Sequence, residues 1–279
     1  MTDVFYWGGP VYCNTLKNVQ WIRETEIVCK PESGSSNNYS LYGRVGGLLS
    51  LANRATEGKV GAIGMGGFSA FHGFARAALK DESVRSRISF LHLADACFMG
   101  SGATKPFGTF RWFAKRAVEG KVRMVATTNG PWGGKVEYDH GTTHYSLTSG
   151  AKCVQLFWDE VTQGQPIGTA EHPPDVTPPD KAMRCGEFYW FHYERGGHEW
   201  HANKLAAPYI QMYAPAWMAA AQLPMDDGEL EPVTLPPEPS GPVWVEPAAP
   251  DREQPQLLPV MIGAGVIAGC AYLLWRMVR

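Results

Sequence analysis

The amino-acid sequence predicts an α/β body with a mainly parallel sheet and helices on both faces, then a Pro-rich linker and a C-terminal transmembrane helix. Three observations predict it. Short apolar runs alternate with stretches of helical periodicity over residues 1–221, and such alternation gives parallel strands joined by helical crossovers. The short runs are almost continuously apolar, as strands covered on both faces are. Residues 224–256 concentrate Pro and acid, and residues 257–275 carry no charge.

The elements follow in chain order. Residues 3–7 (DVFYW) form an apolar strand that stops at Gly8, Gly9 and Pro10. Residues 40–57 place Leu41, Val45, Leu48, Leu49 and Ala52 at helix spacing. Lys59 to Gly66 is a buried strand, Phe71 to Lys80 a helix, and Ile88 to Ala94 another buried strand. Thr109 to Glu119 is a helix with Phe110, Phe113, Ala114 and Ala117 on one face. Val122 to Thr127 is a strand and Ser149 to Val161 a helix. Residues 164–182 form a Pro-rich insertion, read as a surface loop. Glu187 to Tyr193 is the last strand, and residues 202–221 are the last helix.

Three segments result: a body over 1–223, an acidic linker over 224–256 and an apolar tail over 257–279. The net charge of −2 divides unevenly among them. The linker carries −7, the tail +2 and the body +3. A body so close to neutral has no basic field for nucleic acid. Six Cys in 279 residues are too few for a disulfide scaffold. A Pro-rich linker is extended, at about 3.1 Å per residue. The uncharged run from Leu257 to Trp275 is long enough to cross a hydrocarbon core of about 30 Å as a helix. Trp275 and Arg276 close it as interfacial anchors do. Gly265 and Gly269 form a small-residue pair suited to helix–helix association. Residues 1–12 lack a basic leader and run straight into a strand, so a tail-anchored single-pass protein is expected. The terminal arginines and the missing leader point to opposite sides of the membrane, which leaves the side open. A virion membrane is one setting that satisfies both.

Ligands on parallel sheets bind beyond the carboxyl ends of the strands. Gly8, Gly9, Ser69, Asp95, Asn129, Asp139, His198 and His201 all follow strands in the sequence. Ser69 lies between an apolar strand and an Ala-rich helix, after Gly66 and Gly67. At such a place a serine is either an activated nucleophile or the N-cap of the helix. The string Gly67-Phe68-Ser69-Ala70 resembles the nucleophile elbow of the α/β-hydrolase superfamily, G-x-S-x-G. It departs from the motif at Phe71, where the motif has Gly; Gly73 is a nearby small residue. Asp95 ends the strand ISFLHLA one unit later, and Asp139 is the later candidate acid. After the last strand comes Gly196-Gly197-His198-Glu199-Trp200, similar to the histidine loop of esterase-type members. His201 is the alternative base.

The order Ser69, Asp95, His198 is the order of serine, acid and histidine in that superfamily. The resemblance implies an esterase- or lipase-like acyl hydrolysis. Ser69 would attack, His198 would carry the proton, Asp95 would orient His198, and the N–H groups of Gly9 and Ala70 would bind the oxyanion. It implies a small-molecule or lipid ester substrate and no cofactor. A non-catalytic scaffold on the same fold, such as a virion or membrane structural protein, remains open, as does a cell-wall peptidase or amidase. Metal chemistry is not expected. No C-x-x-C is present, and His198-Glu-Trp-His201 falls one residue short of the zinc-protease spacing.

Overall fold

The computed structural model describes residues 1–8, 16–29, 52–53, 56–68, 71–97, 99–100, 108–130, 135–140, 143–148, 150–197 and 200–221, all within the unit Met1–Leu235. The predicted tail at 257–279, with Gly265 and Gly269, lies outside them, as does most of the predicted helix at 40–57. Among the described residues, no helix is long and apolar enough to cross a membrane.

The strands are β1 (Thr2–Gly8), β2 (Thr25–Cys29), β3 (Val60–Phe68), β4 (Ile88–Ala94), β5 (Met99–Gly100), β6 (Arg123–Asn129), β7 (Lys135–His140), β8 (Thr143–Thr148), β9 (Gly168–Thr169), β10 (Lys181–Cys185) and β11 (Phe188–Tyr193). The helices are α1 (Phe71–Lys80), α2 (Glu82–Arg85), α3 (Gly108–Val118), α4 (Gly150–Val161), α5 (Ala206–Tyr213) and α6 (Pro215–Ala220). A π-helical turn, His201–Leu205, leads into α5.

Eight described strands form one sheet in the order β2-β1-β3-β4-β6-β11-β10-β9. Pairing is parallel from β2 through β11, and β10 and β9 add an antiparallel edge. The fold is therefore α/β with a mostly parallel sheet, as the alternation predicts. The sheet grows from β1 in both directions, with β2 on one side and β3 on the other. The strand order thus reverses between β1 and β3, the kind of place where such sheets open a crevice.

Side chains alternate across each strand. Val4, Tyr6, Met65, Leu91, Met124 and Trp190 face one layer, where they pack with residues of α1, α3 and α4. Phe5, Trp7, Phe90, Val125, Phe191 and Tyr193 face the other, where they meet Leu205, Tyr209, Ile210, Tyr213 and Met218. The last helices are also tied to the sheet by polar contacts. Trp217 Nε1 donates to the Ser89 carbonyl at 2.7 Å. The Arg123 guanidinium lies 4.5 Å from the Trp217 ring and donates through Nε to Glu187 at 2.6 Å.

Several elements differ from expectation. Asp139 lies on a strand, not in a loop. β7 and β8 are an antiparallel hairpin in a separate three-stranded sheet, with Asp139 opposite His144. The signal was local: two alternating runs flank a two-residue connection containing Gly141. The Pro-rich insertion is pinned at the sheet edge. Ala170 and Val176 are buried in the second core, and Tyr213 donates its hydroxyl proton to the Glu171 carbonyl. The single helix expected over 202–221 is broken into the π-helical turn, α5 and α6, with Pro215 opening α6. Proline has no N–H to continue a helix but suits its first turn.

Candidate functional site

The strand ends that carry the candidate residues line up. Gly8 of β1 is opposite Gly67 of β3, and Phe68 is opposite Ala94 of β4. Ala94 is opposite Thr127 of β6, and Asn129 is opposite Tyr193 of β11. Strands β1, β3, β4, β6 and β11 thus end on the same side of the sheet, and Gly9, Ser69, Asp95 and His198 come after them in the sequence. Gly9, Ser69, Ala70 and His198 themselves lie outside the described residues, so only their flanks are described.

Around Ser69 the flanks explain the departure from the elbow motif. Phe71, the first residue of α1, is fully buried. Its ring is seated on Gly8 and Gly67. A Cβ on Gly8 would stand 2.2 Å from Phe71 Cδ2, and one on Gly67 only 2.1 Å from Cγ. Two glycines on adjacent strands thus make room for a bulky residue at the helix start.

Asp95 follows β4 in the left-handed region, with φ +46°. Aspartate tolerates this conformation better than most residues. Its side chain is buried at 3% exposure. Its N–H donates to the Thr127 carbonyl at 2.7 Å, and Oδ1 accepts the Asn129 N–H at 3.4 Å. A Cβ on Gly150 would come within 2.4 Å of Oδ1, so this glycine lets the carboxylate approach the first turn of α4. A helix N-terminus favours negative charge there. Two residues on, Cys97 is joined by a disulfide to Cys153 of α4. The segment after β4 is therefore fastened covalently to the helix that faces the carboxylate.

Three spacings of about 4.8 Å, roughly 14 Å, separate β3 from β11. The chain turns back across that distance after β11, since the π-helical turn packs against β3, β4 and β6. The loop that makes the turn is held at several points. The Glu194 N–H donates to Asp180 Oδ2 at 2.7 Å, and Asn129 Nδ2 donates to the Gly196 carbonyl at 2.7 Å. Gly196 has φ +98°, and a Cβ there would meet Trp200 Cε3 at 2.7 Å. Trp200 in turn packs edge-on against Tyr193. His201, the alternative base, is fully buried. Its ring stands edge-on to Tyr193 and Trp200, with centroids 5.7 Å away in each case.

Two further histidines were not singled out from the sequence. His92 lies in β4 and His192 in β11, both fully buried. Their only sequence signal is an imidazole inside an apolar strand. Thr128 Oγ1 accepts the Trp190 Nε1 proton at 2.9 Å and also lies 3.2 Å from His192 Nδ1. Burial pulls the His192 pKa down, while Asp95 is among the carboxylates that oppose the shift. Burial, and then the proximity of His201, pull His92 down from the ordinary range to about 3.

His92 therefore stays neutral in the folded protein across the range where the unfolded chain takes up a proton. Stability from this group is fully present above the unfolded pKa of about 6.5 and is lost as pH falls toward the folded value, by about 1.4 kcal/mol per pH unit. His92→Gln is expected to flatten the fall in urea midpoint between pH 7 and pH 5 relative to wild type. Parallel profiles for the two proteins would show that His92 does not couple folding to protons.

Among the described residues, no three His, Cys, Asp or Glu side chains gather to hold a metal ion. No known protein family, curated protein or solved structure matches the chain.

Proposed function

We propose that residues 1–223 form a serine hydrolase of the α/β-hydrolase type, held through the 224–256 linker to a membrane by residues 257–279. One observation carries the reading. Gly8, the last residue of β1, pairs in register with Gly67, the last residue but one of β3, where the strand order reverses. Gly9 follows Gly8 and Ser69 follows Phe68 in the sequence, which supports an oxyanion donor and a nucleophile at neighbouring strand ends. Acyl transfer needs that pair side by side. The seat of Phe71 on two glycines supports the tight strand-to-helix turn, and the return of the chain after β11 supports a histidine reaching back toward β3.

In this mechanism Ser69 Oγ attacks an ester carbonyl and His198 takes its proton. Asp95 orients the imidazole, and the N–H groups of Gly9 and Ala70 bind the oxyanion. The leaving alcohol departs with the proton from His198, and water then releases the acid from Ser69. Asp139 and His201 are the alternative acid and base. The substrate is a small-molecule or lipid ester. The buried Cys97–Cys153 bridge favours a body folded on an oxidising side of the membrane.

The test is labelling of the detergent-solubilised chain with a fluorophosphonate probe. Wild type is expected to label, and Ser69→Ala to lose the label with its fold unchanged. A well-folded wild type that takes no probe would overturn the reading in favour of a non-catalytic scaffold.

A further inference from the structure

We infer that Asn129 is a positioning residue of this site, fixing the loop that precedes His198 against the end of β6. The inference rests on the hydrolase reading. Asn129 ends the strand that lies between those of Asp95 and His198. Its backbone N–H reaches the Asp95 carboxylate at 3.4 Å, and its side-chain amide holds the Gly196 carbonyl at 2.7 Å. One residue thus touches both the candidate acid and the chain two positions before the candidate base.

Among the described residues, the loop after β11 is held at a few points. The Glu194–Asp180 bond fixes its start, and the packing of Trp200 on Tyr193 fixes its end. Gly196 stands between these points in a left-handed conformation. That conformation suits glycine but does not by itself fix a carbonyl direction. The Asn129 amide does so by donating to it. An imidazole that has to meet both a serine and a carboxylate tolerates little error, since misplacement by about 1 Å costs about 100-fold in rate.

The role is tested in the full chain in detergent, with hydrolysis of p-nitrophenyl butyrate and amide exchange of residues 195–200. Asn129→Ala and the isosteric Asn129→Asp both remove the donor. Each is expected to lower kcat by about 10- to 100-fold with KM within twofold, and to speed exchange at 195–200. Asn129→Gln keeps an amide donor and is expected to recover part of kcat. The role is overturned if kcat is unchanged in Asn129→Asp, or if kcat falls while exchange at 195–200 stays as in wild type. A wild type that neither hydrolyses the ester nor takes the fluorophosphonate probe removes the hydrolase reading and this role together. A loss confined to the Asn129 variants supports the role, and an active wild type with unaffected variants rejects the role alone.

Discussion

Removing the Cys97–Cys153 bridge is expected to lower the free energy of unfolding by about 4 kcal/mol. The two cysteines are 56 residues apart, and a loop of that length closed in the unfolded chain restricts it by roughly that amount. The cleanest variant is Cys97→Ala with Cys153→Ala, which leaves no lone thiol in a site exposed by at most 1%. Urea unfolding of wild type and of the double variant, both without reductant, gives the comparison. The double variant is expected to unfold at a lower midpoint. Coincidence of the two would mean that the bridge adds no stability. The bridge fastens the segment after Asp95 to α4, so under the proposed hydrolase function the double variant is also expected to lose rate beyond its loss of stability.

The other large effect lies at the turn into α1. Phe71→Ala is expected to cost about 3–5 kcal/mol, the usual loss for a fully buried phenylalanine. Gly67→Ala is expected to cost about 2–3 kcal/mol, because its new methyl group would enter the Phe71 ring. The two are coupled. In the Phe71→Ala background the ring is gone but the Cβ of residue 71 still stands 2.6 Å from the added methyl group, so Gly67→Ala is expected to cost less than in wild type while remaining destabilising. Urea unfolding of the two single variants and the double variant measures this. Strictly additive losses would show that Gly67 is not what admits the ring.

The apolar runs at β1, β3, β4, β6 and β11 were legible because strands covered on both faces need hydrophobic side chains throughout. Helices α1, α3 and α4 were legible from their periodicity. The short strands β2 and β10 carry weaker apolar patterns, and the β7–β8 hairpin is marked by alternation rather than by an apolar run. The break of the last helix follows from Pro215, which was visible. The π-helical turn before α5 has no comparable mark in the sequence.

The sequence by itself determined which segments are buried, since period and polarity are properties of consecutive residues. It also set which polar side chains follow each strand. Only the tertiary structure decided the strand order, the register of Gly8 with Gly67, the pairing of Cys97 with Cys153 and the bond from Asn129 to Gly196. The last three join residues 56 to 67 positions apart. Local periodicity tells a side chain which face it occupies, but not which distant partner shares that face. That choice is made by the packing of the whole sheet between its two layers of helices.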